Sequence, residues 1–542
     1  MTDVVLVMNG GTLIDGRGGP PLENAVVVIK NGRFLSVGQS GQIEIPAGAK
    51  VVDTRGLTLL PGFIDGHGHL EDFHGELYLH LGITTCVTIE TSQDGPWTIA
   101  QRDGTRAGKI RGPRIWTSGR AIGGPRTLTD APVGSAVRGN ITITTPDEAK
   151  EAVRKKKERG FDLIKMNEFA SFDLIRAVAE EAHLHGMAVT AHSWDVIESV
   201  KAGVDGIEHI WSVGYSSILD IKKRRDLAKQ RLAGNIEQEL AGGFYEVENF
   251  DPIIEIMVKH DVGWTPTIAK WLRPLSPNAK RFRERENQIL DNPDSNLPPT
   301  VRAVADSAYD KLFKKYSPSQ LDRTKVFYEK ANEFIRRFVA AGGRLKEGSD
   351  PPRGMAAILM HEALTMDVEA GVSPMTAIQA ATINVAKTFK KDKDYGSVEP
   401  GKVADLSIIE GDPLKDIWMT QNVKMVVIDG EMIDVAFQKY ENPIPSFYTY
   451  QTLPRDLTIH PLRVTQGEGP ITMSVKGEGM WSFHRVHLNG APLPTKFISK
   501  TELQATISAQ DIAKAGTYVV TVKADGERIP ESHRAQLFVS FK

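Results

Sequence analysis

Between residues 149 and 191 the chain alternates two textures: amphipathic helical stretches at 149–159 and 174–184, and short apolar runs at 163–166 and 188–191. An apolar run set between helices is what a strand buried on both faces requires. The rhythm predicts βαβ units on a parallel sheet, hence an α/β fold. A chain of 542 residues exceeds one such unit. Even a barrel of about 250 residues leaves room for further modules.

Both flanks have a different texture. The first sixty residues read as short strands broken by turn signals, Asn31-Gly32 among them, and the same pattern returns beyond Gly396 with Asp429-Gly430. The two flanks, 1–61 and 396–437, are expected to build one composite β-sandwich around a barrel-sized segment, 62–395. A charged, Pro-containing stretch at about 216–324 reads as an insertion serving as a lid or an oligomer contact. Alternating strands resume in 455–542, which reads as a separate β-sandwich.

Composition excludes several classes. Lys plus Arg (66) balance Asp plus Glu (68), so no net field draws the chain to nucleic acid or an anionic membrane. No apolar run reaches the roughly 18 residues a membrane span needs. The N-terminus is interrupted by Asp3 and carries no basic leader, so it reads as a strand rather than a signal peptide. A cytoplasmic location is expected, with a periplasmic or secreted one if a leader was trimmed. The single cysteine, Cys86, sits in an apolar run and reads as a buried strand residue.

The chemistry concentrates at strand ends. Phe63-Ile64-Asp65-Gly66-His67-Gly68-His69 ends an apolar strand in two histidines at i and i+2, which in extended chain share one side and face one metal ion. Val189-Thr190-Ala191-His192 and Gly206-Ile207-Glu208-His209 add two strand-end histidines 17 residues apart, the length of one strand-helix-strand unit. Lys165 ends the apolar run Leu163-Ile164-Lys165-Met166. In its bland reading it pairs with a carboxylate such as Glu168. In the sharper one, carboxylation by carbon dioxide turns it into an anionic ligand. Ser349-Asp350-Pro351-Pro352 alone is a turn; as the end of the last strand, Asp350 becomes a metal ligand and proton carrier. His74, His80, His183, His185 and His260 read as structural or exposed, and His361 as a candidate contact of the site.

Taken together these residues resemble the amidohydrolase superfamily, in particular its imidazolonepropionase-like and prolidase-like members. The resemblance spans residues 4–433 and includes Gly11-Thr12-Leu13-Ile14-Asp15-Gly16, Leu60-Pro61-Gly62-Phe63-Ile64-Asp65, the stretch Ser373 to Thr382, and Gly396 to Leu406. It implies a distorted TIM (β/α)8 barrel flanked by the composite β-sandwich, with two divalent metal ions, zinc in most relatives. His67, His69 and Asp350 would hold one ion and His192 and His209 the other, with carboxylated Lys165 between them. Met166-Asn167-Glu168-Phe169 departs from the small, Gly-rich continuation common after that lysine. The segment 457–542 is similar to an immunoglobulin-like module of the IPT type.

The expected reaction is hydrolysis of a linear amide or peptide C–N bond, in a dipeptide or N-acyl amino acid. The alternatives are a cyclic amide, lactone or other ester, and a catalytically silent binding protein. A substrate carboxylate needs a cation at the mouth, for which Arg126 or Arg273 is available. Tyr215 and His361 complete the candidate substrate contacts, and a homo-oligomer is expected.

Overall fold

The computed structural model describes residues 5–89, 95–124, 141–167, 170–232, 235–295, 297–440, 442–443, 455–478, 480, 484–499, 501–524 and 535–541. They form a mixed α/β fold whose chain divides into two compact units, Met1–Ile444 and Pro445–Lys542.

In the first unit, strands from both flanks share one eight-stranded sheet. Val5–Leu13, Leu22–Lys30 and Arg33–Gln39 form an antiparallel meander. Its second turn is Asn31-Gly32, with φ of 53° and 77°, the left-handed pair that a tight hairpin needs and that Asn and Gly tolerate. Leu57–Pro61 then pairs antiparallel with Leu406–Glu410 from the far end of the chain, Leu406 standing opposite Pro61. Leu6, Met8, Val27, Leu59, Leu406 and Val427 bury one apolar core between them.

The parallel strands lie in two groups. Phe63–Gly68, Ile83–Ile89 and Arg114–Gly119 form the first. Cys86 is fully buried within it. The second runs through Ile164–Met166, Val189–Ala191, Gly206–Glu208, Gly263–Thr265 and Arg344–Leu345. Hydrogen bonds join the groups at both ends, from Asp162 N to Thr117 O (2.9 Å) on one side, and from Gly66 N to Glu347 O (2.8 Å) and Asp350 N to His67 O (2.7 Å) on the other. The second junction is tight. A Cβ on Gly348 would lie 2.3 Å from the His67 nitrogen and one on Gly66 would lie 2.7 Å from the Glu347 carbonyl, so only glycine lets these strand ends meet.

Helices cover the outward faces. Pro146–Glu158 starts at a capping box in which the Thr145 hydroxyl accepts from Glu148 N, and its buried face is Ala149, Ala152 and Val153. Ile164, Val189 and Ile207 are buried completely, each stabilising the fold by roughly 1.5–3 kcal/mol.

The stretch 216–324 is not a single insertion. Gly263–Thr265 lies inside it and pairs in parallel with Gly206–Glu208 and Arg344–Leu345, preceded by the helix Phe250–Lys259. Three residues are too few to show a strand periodicity, and the polar helices around them mask the strand. The helices of this stretch therefore flank a strand: Ile221–Leu232 and Gln238–Ala241 before it, and Ala279–Asp291 and Pro299–Asp310 after it.

The second unit is strand-rich. Arg455–His460, Ile471–Glu478, Glu502–Ile507 and Thr495–Ser499 form one sheet, and Arg463–Thr465, Ala535–Ser540, Gly516–Ala524, His484–Leu488 and Ala491–Pro492 another. Met473, Val475, Leu503, Val520, Val522 and Leu537 form the core they enclose. Among the described residues no helix is long and apolar enough to cross a membrane.

Candidate metal centre

The carboxyl ends of the parallel strands converge on one polar cluster inside an apolar frame. Phe63–Gly68 is buried along its whole length and delivers His67, with His69 just past its end; the two rings stand 5.3 Å apart. His209 follows Gly206–Glu208 and packs 4.7 Å from His67, ring to ring. Asp350 lies five residues past Arg344–Leu345. The ligand atoms of His67, His209 and Asp350 all fall within 4.8 Å of one another. His69 Nε2 is 3.0 Å from Asp350 Oδ1, and His192 Nε2 faces His209 Nε2 at 2.8 Å. Both His209 and Asp350 hold positive φ, 70° and 44°, a conformation that costs roughly 1–3 kcal/mol for a residue with a Cβ.

Lys165 is fully buried on Ile164–Met166, one strand from Thr190. Its charge bears on His67, Glu208 and His209 alike. Of the six residues singled out as metal ligands, His67, His69, His192, His209 and Asp350 are therefore neighbours, with Lys165 on an adjacent buried strand.

Residues outside that set hold it in shape. Glu208 accepts from His67 Nδ1 (2.7 Å) and Lys346 Nζ (2.8 Å), and from the Thr190 hydroxyl. A carboxylate behind one ring nitrogen fixes the tautomer and leaves the other nitrogen free to ligate. The Thr267 hydroxyl does the same for His209 Nδ1 at 2.8 Å. Asp65 accepts from His67 N (3.1 Å), Ser349 N (2.9 Å) and the Tyr78 hydroxyl (3.0 Å), clamping the first strand end to the last. Of these, Glu208 and Asp65 stand beside recognised histidines in sequence. Lys346, Thr267 and Ser349 carry no local signal.

Electrostatics suit a cation site. Burial pushes the His67 imidazole down to about 4 and His209 well below its ordinary value, so both are neutral at pH 7, the form that ligates a metal. Burial works to raise the Asp350 carboxyl, but the Lys270 ammonium at 2.8 Å, with His67 and His209, holds it well below the usual carboxylate range. Asp350 Oδ2 is buried without a hydrogen-bond partner. Neutral imidazoles around an ionised carboxylate with an orphaned oxygen fit a divalent ion.

The candidate substrate contacts fare unevenly. Tyr215 is buried, its ring 4.7 Å from Trp194, and burial pushes its phenol up to about 12 against the pull of Arg231. His361 is not at the site. Its nitrogens are spent on Leu81 O (2.8 Å) and the Thr420 hydroxyl (3.0 Å), because its helix turns it into the core. Nor is Arg273 a cation at the mouth, since it is fully buried with Nε 3.1 Å from Glu286 and 3.5 Å from Glu362. Arg126 and Glu168 lie outside the described residues. Removing Arg273 takes the nearest buried cation from Glu286, leaving it only Arg283 at 3.2 Å, so Arg273→Ala should lower the unfolding free energy by about 3–5 kcal/mol. Denaturant titration checks this; an unchanged midpoint would show that the carboxylates do not depend on the arginine.

An N-acyl-D-aspartate deacylase of Alcaligenes xylosoxydans xylosoxydans is 40% identical over 87 residues, and an adenine deaminase of Clostridium botulinum is 40% identical over 82. These matches cover 15% and 14% of the chain, and the chain spans only 17% and 13% of the lengths of those relatives. A crystal structure of a Xaa-Pro dipeptidase with methionine bound in the active site is similar in fold, with a TM-score of 0.56 at 21% identity, over 79% of this chain and 100% of the other. The amidohydrolase family model matches residues 58–433, which takes in the parallel strands, the four histidines, Lys165 and Asp350. With more than half its length inside that match, the chain belongs to the amidohydrolase family.

Proposed function

We propose that this protein is a metal-dependent hydrolase that cleaves a linear amide or peptide C–N bond of a dipeptide or N-acyl amino acid. The observation that carries this reading is the convergence of His67, His209 and Asp350 at the ends of separate parallel strands. In this reading the two strand groups form one distorted (β/α)8 barrel, a closure supported by the bonds from Asp162 to Thr117 and from Gly66 and Asp350 to the opposite strand ends. His67, His69 and Asp350 would hold one ion and His192 and His209 a second, with Lys165, carboxylated, between them. Zinc suits the imidazole-rich set. The second unit would be an immunoglobulin-like contact module.

Two divalent ions held by these residues would supply a water acidic enough to ionise near neutral pH and an electrophile for the scissile carbonyl. The chain's own groups do the rest. Asp350, kept ionised by Lys270, takes the water proton at a carboxylate oxygen and returns it to the departing amine. Glu208 keeps His67 oriented, and Trp211, stacked on His209 at 5.3 Å, screens one side of the centre from water.

The test is a panel of dipeptides, N-acyl amino acids, lactones and aryl esters, offered to chelator-stripped and zinc-reloaded protein. Amine release that returns with zinc is the expected result. Turnover confined to the esters, or turnover indifferent to chelation, would overturn the reading.

A further inference from the structure

Beside the candidate metal centre stands a cation with no counter-charge. Arg231 comes from the helix Ile221–Leu232, and its guanidinium carbon lies 5.3 Å from the ring centroids of Trp194 and Trp211 and 6.0 Å from that of Tyr215. The rings form a continuous wall, Trp194 being 4.7 Å from Tyr215 and 5.5 Å from Trp211. Trp211 in turn stacks on His209 and lies 5.1 Å from His192, so one indole separates the cation from two of the candidate ligands.

Among the described residues no carboxylate lies within ion-pair distance of Arg231, and the nearby Asp195 is taken by Arg224 at 3.1 Å. Arg231 Nε and Trp194 Nε1 are buried without a hydrogen-bond partner, and the Tyr215 hydroxyl is turned to the guanidinium of Arg231. Aromatic faces return part of the cost of withdrawing a guanidinium from water, about 0.5–2 kcal/mol, but leave its donors unmet. Two unmet donors beside a guanidinium that has a phenol but no carboxylate for company describe the complement of an anion with several acceptor oxygens.

We propose that Arg231, walled by Trp194, Trp211 and Tyr215, is the subsite that receives the carboxylate of the substrate. This rests on the hydrolase reading above and replaces Arg273, which the core consumes. The ligand class is an amide whose amine or acyl fragment carries a free carboxylate and an apolar side chain. The helix Ile221–Leu232 thereby becomes a determinant of specificity.

Two probes differing only in that group test the assignment: N-acetyl-L-phenylalanine and its carboxamide. Each is titrated into the zinc-loaded full chain with tryptophan fluorescence as the binding signal, alongside KM and kcat. The parent protein should prefer the carboxylate. Arg231→Gln should weaken carboxylate binding about 30-fold, the loss of a charged hydrogen-bond partner, while the carboxamide changes less than about 3-fold. Arg231→Lys, which keeps the charge, should recover part of the loss. Equal weakening of both probes, no weakening, or no preference in the parent would overturn the subsite. Hydrolysis without such discrimination would sink the subsite and spare the hydrolase. Discrimination in binding without hydrolysis of any amide would do the reverse.

Discussion

Asp350→Asn should retain most of the metal bound by the parent protein and lose about 10³-fold in kcat, the usual worth of a placed proton carrier. The substitution preserves size and leaves an amide oxygen for His69 and the ion, so the strand-end geometry, pinned by the bond from Asp350 N to His67 O, survives. What it removes is a base. Elemental analysis beside kcat separates the two effects. Turnover within about tenfold of the parent would exclude Asp350 as the carrier, and loss of metal in step with activity would make it a ligand only.

Lys165→Ala should lower bound metal from near two ions per chain to one or none, with activity falling by about 10³-fold or more. Lys165 is fully buried and its charge bears on His67, Glu208 and His209, so an ammonium there opposes any cation. Converted to a carbamate it would add a second anionic group beside Asp350 among the imidazoles. The parent protein should therefore gain metal when prepared with bicarbonate, and Lys165→Ala should be indifferent to it. Metal content independent of both the lysine and bicarbonate would overturn the two-ion centre and favour a single ion on His67, His209 and Asp350.

Some of the architecture is legible in the residues alone. His67 and His69 announce themselves because a strand's period of two puts i and i+2 on one side, and His192 and His209 because strand-helix-strand spacing repeats. The turns at Asn31-Gly32 and Asp429-Gly430 are local chemistry, complete within two residues. Gly263–Thr265 escapes notice for the opposite reason, since a three-residue strand has no period to read and is recognised only by its neighbours on each side.

The same division holds at the site. Local order along the chain determined which side chains end the strands, and with them the histidines, the lysine and the aspartate of the candidate site. Only the tertiary structure decided who stands behind them. Glu208 meets Lys346 across 138 residues of sequence, and Arg273, expected at the mouth, is instead held in the core by Glu286, while Arg231, which no local pattern singles out, faces aromatic rings. A residue's type and period are properties of its neighbours in the chain. Its charge partner, desolvation and protonation state depend on what long-range packing brings within a few ångströms, and no local pattern encodes that.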